Sequence, residues 1–168
     1  MKFVSTLFVI AGLALAGCTT DGQLGPDGKP LPKVYRISRG IGEEIPGRVL
    51  EAVNTLRAAR GTAPVAMNPA LVAAAAAHSR DMAAQNRPWH WGSDGSSPLD
   101  RGQRAGFYGK VLGENIAETF ETETETLSAW MGVPDTRDVI LNPAATQMGF
   151  SWYQEPSGKI WWTMLTGQ

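Results

Sequence analysis

Few side chains in this 168-residue chain are equipped for chemistry: it has two histidines, His78 and His90, and one cysteine, Cys18. His90 sits in "PWHWGSDGSSPLDR", residues 88–101, between Trp89 and Trp91 and ahead of a run of small polar residues. Imidazole titrates near neutrality, so His90 suits a general base, a hydrogen-bond partner or a metal ligand. His78 shares a helical face with Leu71, Ala75 and Met82, and it reads as a hydrogen-bonded core residue. A zinc site wants three or four protein ligands. Two histidines and no spare thiol do not supply them, so neither metal nor other cofactor is expected. Ser93, Ser96 and Ser97 lie in a Gly/Asp/Pro-rich loop, where such residues serve turns and caps. No G-x-S-x-G elbow is present to make one of them a nucleophile. Asp94 and Arg101 read as residues that fix this loop. Glu118, Glu121, Glu123 and Glu125 read as a solvated, dipole-favoured helix start.

The elements that must position His90 are legible from caps and periods. Val49, Leu50, Val53 and Leu56 share a helical face, so a first helix is predicted from Pro46 to Arg60. Arg57 and Arg60 would complement its dipole, and Gly61 would end it. Asn68 caps a second helix with Pro69 at its first position. Its alanines would let another element approach closely. Ser97, Pro98 and Gly106 bracket a short third helix. Thr122 and Glu125 have capping-box spacing for a fourth, which Gly132 and Pro134 stop. "QMGFSWYQ" and "KIWWTML" alternate as strands do, and "EPSG" between them makes a type I turn, giving a C-terminal β-hairpin. Trp161 points opposite to Trp162, so the two sheet faces each take one. Helices interleaved with a small antiparallel sheet make an α+β domain, with helices covering the sheet.

The chain's beginning bears on compartment. "MKFVSTLFVIAGLALAGC" has a basic start and an apolar run from Phe3 to Ala16. That run falls short of the roughly 20 apolar residues of a membrane span and has the form of a secretion signal. "LAGC", Leu15 to Cys18, resembles the bacterial lipobox. The resemblance implies cleavage before Cys18, lipidation of Cys18 with acyl chains such as palmitate, and a chain lipid-anchored at the cell envelope. Thr19 stands where an inner-membrane retention aspartate would, which implies the outer membrane in a host that has one. Residues 1–17 therefore read as signal peptide, 18–42 as lipidated cysteine and Gly/Pro-rich tether, and 43–168 as the folded domain. About 20 flexible residues reach about 25 Å. A net charge of −1 argues against nucleic acid as a partner.

"VNTLRAARGTAPVAMNPALVAAAAAHSRDMA", "HWGSDGSSPLDRGQRAGF", "GENIAE", "AWMG" and a final "WWTM" follow in fixed order from about Val49 to the end. Together they resemble the CAP superfamily of cysteine-rich secretory, antigen 5 and pathogenesis-related-1 proteins, in its disulfide-free bacterial branch. "GENIA" is the most specific element. The resemblance implies a three-layer α-β-α sandwich, an SCP-like module facing the envelope or outside, and an open cleft. It implies that His90 and Glu114 line that cleft. The family's second glutamate falls on Val133, and its second histidine on Thr136 in "PDTR". Half of the cleft tetrad is thus replaced, which weakens both metal binding and catalysis. The expected cleft residues are His90, Glu114 and Thr136, with His90 and Glu114 the candidates for any catalytic role. Two functions follow. One is a non-enzymatic module for an envelope ligand: a cell-wall fragment, a lipid or a protein. The other is a hydrolase of peptides or esters, with His90 as general base and Glu114 orienting it.

Overall fold

The computed structural model describes residues 34–168. The segment expected to be a signal peptide, Cys18 and the expected tether as far as residue 33 lie outside the described residues. The tether expected over 18–42 does not reach residue 42. Gln154 accepts from the Ile37 amide and donates to the Tyr35 carbonyl, so folded structure begins at these residues. Ser38 then caps α1 (Arg39–Ala58).

Helix α1 starts seven residues before the predicted position, with Pro46 inside it. Ile45, Val49, Val53 and Arg57 form a buried i, i+4 stripe that runs past the proline on both sides. Gly42 meets the Trp152 ring so closely that an added Cβ would sit 3.2 Å from it. This packing offsets the one backbone hydrogen bond that a proline removes. At the other end Gly61 takes a positive φ of 69°, as expected of a helix stop. Arg57 differs from expectation. It is fully buried and donates to the carbonyls of Ala63, Ile140, Asn142 and Ala145, so it ties helix ends together instead of meeting solvent.

β1 (Ala66–Met67) leads into α2 (Pro69–Gln85), capped by Asn68, whose side chain accepts from the Ala70 and Leu71 amides. α3 (Pro98–Arg104) opens on a capping box between Ser97 and Asp100. β2 (Val111–Glu118), α4 (Glu123–Gly132), α5 (Pro134–Leu141), β3 (Gln147–Gln154) and β4 (Ile160–Gly167) follow. Gly132 and Pro134 do stop α4, behind its Thr122–Glu125 capping box, but Pro134 is also the first residue of α5, a helix the sequence pattern does not predict. The turn from Glu155 to Gly158 closes with the Gly158 amide on the Glu155 carbonyl at 2.9 Å.

The strands lie in the order β1-β3-β4-β2. β3 pairs antiparallel with β4, and so does β2, but β1 runs parallel to β3, so the sheet is mixed and not purely antiparallel. One face carries Met148, Phe150, Ile160, Trp162 and Met164, packed with Ile45, Val49 and Val53 of α1, Leu127 and Trp130 of α4 and Ile140 of α5. The other face carries Leu165 against Leu71, Ala74 and Ala75 of α2 and Phe107. The alanines do let α2 come close: a Cβ on Gly149 would sit 2.1 Å from the Leu71 backbone. Trp161 is buried opposite Trp162, with its indole N–H on Glu155 at 2.7 Å. Helices on both faces of a four-stranded sheet make the expected α-β-α sandwich.

Candidate functional site

Glu114 is opposite Leu165 in the ladder, so its side chain leaves the sheet on the α2 and α3 face. It is buried, and both oxygens are engaged. Oε1 accepts from His90 Nδ1 at 2.9 Å, and Oε2 from Arg101 Nη2 at 2.6 Å. Arg101 comes from α3, where the Ser97–Asp100 box fixes the first turn. It is buried as well, and it donates to the Ser96 carbonyl at 2.8 Å and the His90 carbonyl at 3.0 Å. A buried carboxylate is tolerated when paired and hydrogen-bonded, which is what Arg101 provides.

That pair decides the state of His90. With Arg101 donating to Oε2, the matching assignment makes Glu114 Oε1 the acceptor and His90 Nδ1 the donor of their bond. In the neutral form of the ring, Nε2 is then the bare nitrogen. The His90 side chain is 54% exposed, while that of Glu114 is 1% exposed. The site therefore offers one outward-facing basic nitrogen on an imidazole oriented from below, able to accept a hydrogen bond or a proton.

His78 supports the loop from α2. Its Nε2 bonds the Trp89 carbonyl at 2.9 Å, while it stands 3.6 Å from Glu114 Oε1. A carbonyl only accepts, so Nε2 is protonated. Burial lowers the His78 pKa, against the opposing pull of Glu114, and favours the neutral ring. The core reading of His78 thus gains a specific content: it pins the backbone of the residue before His90. Asp81, one turn along α2, accepts from both the amide and hydroxyl of Ser93. Asp94 pairs with Arg104 and also accepts from Ser96, contacts that hold its carboxyl well below the usual range. Ser97 donates to Asp100. The Ser93 and Ser97 hydroxyls thus serve carboxylates of the loop and helix starts, Ser96 serves Asp94 through its amide, and none of the three makes a hydrogen bond to His90.

Thr136 is placed differently. Its hydroxyl donates to the Trp130 carbonyl at 2.7 Å, closing the junction of α4 and α5, and Asn115 Nδ2 donates to its carbonyl at 2.8 Å. Asn115 neighbours Glu114 on β2 and leaves the opposite face. The geometry joins His90 with Glu114 directly and brings Thr136 to β2 only through Asn115. Val133, which the resemblance sets at the second glutamate's position, is exposed at the same junction. Among the described residues no group of three or more His, Cys, Asp and Glu converges as metal ligands would.

Arg101 is not legible as a site residue from sequence because a Lys or Arg on a short helix normally reads as solvent-facing. Its i+3 spacing to Arg104, which does face out and pair with Asp94, is the available signal. A hollow of 410 Å³ lies beyond Arg101, between α2 and α3, walled by Ala73, Ala77, Asp81, Ser93 and Arg104; neither His90 nor Glu114 lines it. Glu123, read as solvated, is buried and bonded to Arg48 of α1 at 2.7 Å.

The sequence profile of the cysteine-rich secretory protein family, CAP, matches residues 50–165. YkwD of Bacillus subtilis (strain 168), itself uncharacterized, is 34% identical over 121 residues, which are 72% of this chain and 46% of that protein. The chain thus spans about half the length of that relative. Among solved structures, an outer surface protein of Borrelia burgdorferi matches with TM-score 0.69 at 15% identity, over 75% of this chain and 93% of that one. An extracellular protein with an SCP domain from Bacillus anthracis matches with TM-score 0.68 at 23% identity, over 88% of this chain and 45% of that one.

Proposed function

The chain belongs to the CAP family of cysteine-rich secretory proteins, and from that premise we propose that it is an exported lipoprotein whose CAP domain binds an envelope ligand at His90 without turning it over. The observation that carries this reading is the Glu114 carboxylate held between Arg101 and His90. It produces a fixed, exposed acceptor nitrogen with no nucleophile attached. Ser93 and Ser97 of the neighbouring loop have their hydroxyl protons on carboxylates and no serine bonds His90, and where the family resemblance expects a second histidine and a second glutamate this chain has Thr136 and Val133. Export is supported by the signal-like start of the chain and by fold relatives described as extracellular or outer-surface proteins. Among the described residues no helix is long and apolar enough to cross a membrane; the lipobox-like "LAGC" is what supports attachment through lipid at Cys18.

A second reading keeps the same pair for hydrolysis. His90 Nε2 would activate water, with Glu114 orienting the ring, as base–orienter pairs do. One experiment separates the two. The purified chain and His90→Ala are incubated with peptide, ester and glycan panels, and both binding and products are followed. The binding reading expects saturable binding that weakens in the variant and no product from either protein. Turnover that disappears in His90→Ala would overturn it. Palmitate labelling in cells, expected to vanish in Cys18→Ala, tests the anchor.

A further inference from the structure

Trp89 and Trp91 flank His90 with relative exposures of 52% and 57%. Large indoles are usually buried, and neither of these joins the two core clusters. The backbone that carries them is nonetheless held at several points. His78 bonds the Trp89 carbonyl, and the Trp89 amide donates to the Arg87 carbonyl at 3.0 Å. Arg101 bonds the His90 carbonyl, and the Gly92 amide donates to the Ser96 carbonyl at 2.9 Å. The Arg87 guanidinium lies 3.7 Å over the Trp89 ring and braces it. Exposed rings on a braced backbone lose little freedom when a partner stacks on them.

The charges around the loop are of both signs: Glu114 is paired with Arg101 and His90 and Asp94 with Arg104, while Asp81 accepts from the neutral Ser93 and Gln85 and Arg87 donates to Gln85. No single-sign patch is formed to select an anion or a cation, and an uncharged partner is compatible with this mixture. His90 Nε2 asks that partner for a hydrogen-bond donor. A pyranose ring has an apolar C–H face for an indole and hydroxyl donors around its edge. A lipid tail offers no donor, and an extended peptide offers no flat apolar ring except where its side chains supply one.

We propose that Trp89, His90 and Trp91 form a subsite for a neutral glycan, with the indoles stacking on sugar faces and His90 Nε2 accepting from a sugar hydroxyl. This rests on the binding reading above and names its ligand class.

The test is titration of the purified chain with chitohexaose, followed by tryptophan fluorescence and by the NMR signals of the His90 ring. The expected result is saturable binding that shifts both signals. Trp91→Ala should weaken it about tenfold, the loss of one stacking contact, and Trp91→Phe should recover part of the loss. The unchanged circular dichroism of Trp91→Ala would confirm that the variant folds. No saturation up to about 10 mM sugar overturns the glycan subsite, since such affinity is too weak for a stacked site. Binding that is indifferent to Trp89→Ala, Trp91→Ala and His90→Ala overturns it as well. Parallel titrations use an unstructured peptide and phosphatidylglycerol vesicles. If either shifts the His90 signals while chitohexaose does not, the glycan subsite fails and the binding reading stands; if no probe shifts them, both fail.

Discussion

The two faces of the sheet solve different problems. Under α1, α4 and α5 the contacts are apolar and aromatic: Phe150 stands 5.8 Å from Trp162 and 6.3 Å from Trp130, centroid to centroid. Under α2 and α3 the sheet carries polar groups, with Ser79 bonded to Thr163 at 2.8 Å and Glu114 between Arg101 and His90. Neighbouring residues of β2 divide between them, Glu114 going to one side and Asn115 to the other. The apolar face stabilises the fold through buried area, which tolerates chemical variation of similar volume. The polar face depends on complete pairing, because a buried charge that loses its partner is costly. The site occupies the face where stability and function share the same atoms.

Substitutions should expose this difference. Trp162→Ala is expected to cost about 3–5 kcal/mol in chemical denaturation and to leave the His90–Glu114 pairing intact in the remaining folded protein. Glu114→Ala strands Arg101 and should cost a similar amount, about 3–5 kcal/mol, while also displacing the His90 ring signals. If Glu114→Ala proves as mild as a surface change, the pairing account of this face is wrong.

A pH series sharpens the comparison. Burial lowers the folded-state pKa of His78 below its ordinary 6.5. The unfolded chain therefore binds the proton first, and stability should fall as pH drops from about 6.5 toward the folded value. Above that window the ring is neutral in both states and contributes no slope. Unfolding measured across pH 4–8 should show this slope, about one proton at most, and His78→Gln should remove it. The smallest effect belongs to the rim of the apolar side. Glu123→Ala breaks a pair with the half-exposed Arg48 and should lower stability least of these changes, the loss diminishing at high salt.

What could be read from the chain alone divides along similar lines. Caps are local chemistry, so Asn68, Ser97 and Thr122 announce α2, α3 and α4. Alternation announces β3 and β4. β2 escapes the pattern because Glu114 and Asn115 are both polar and both buried, and only the likeness of "GENIA" to a family motif draws attention to it. β1 has two residues, too few for any period. Arg57 is misplaced by sequence reasoning, and Arg101, read as fixing its loop, is not seen to be buried, for one reason: their burial depends on carbonyls and a carboxylate brought from elsewhere by the fold. Pro134 could end one helix or begin another, and it does both.

The clip between the first described residues and the hairpin has a mechanical consequence. The Arg36 guanidinium holds the Glu155 carbonyl at the β3–β4 turn, and Ile37 is bonded to Gln154. A tug on the chain ahead of Val34 is resisted first by these few bonds and only afterwards by the Ser38 cap of α1. Under load they would act as a strain relief, yielding a few residues of slack while the Glu114 carboxylate keeps its hold on His90.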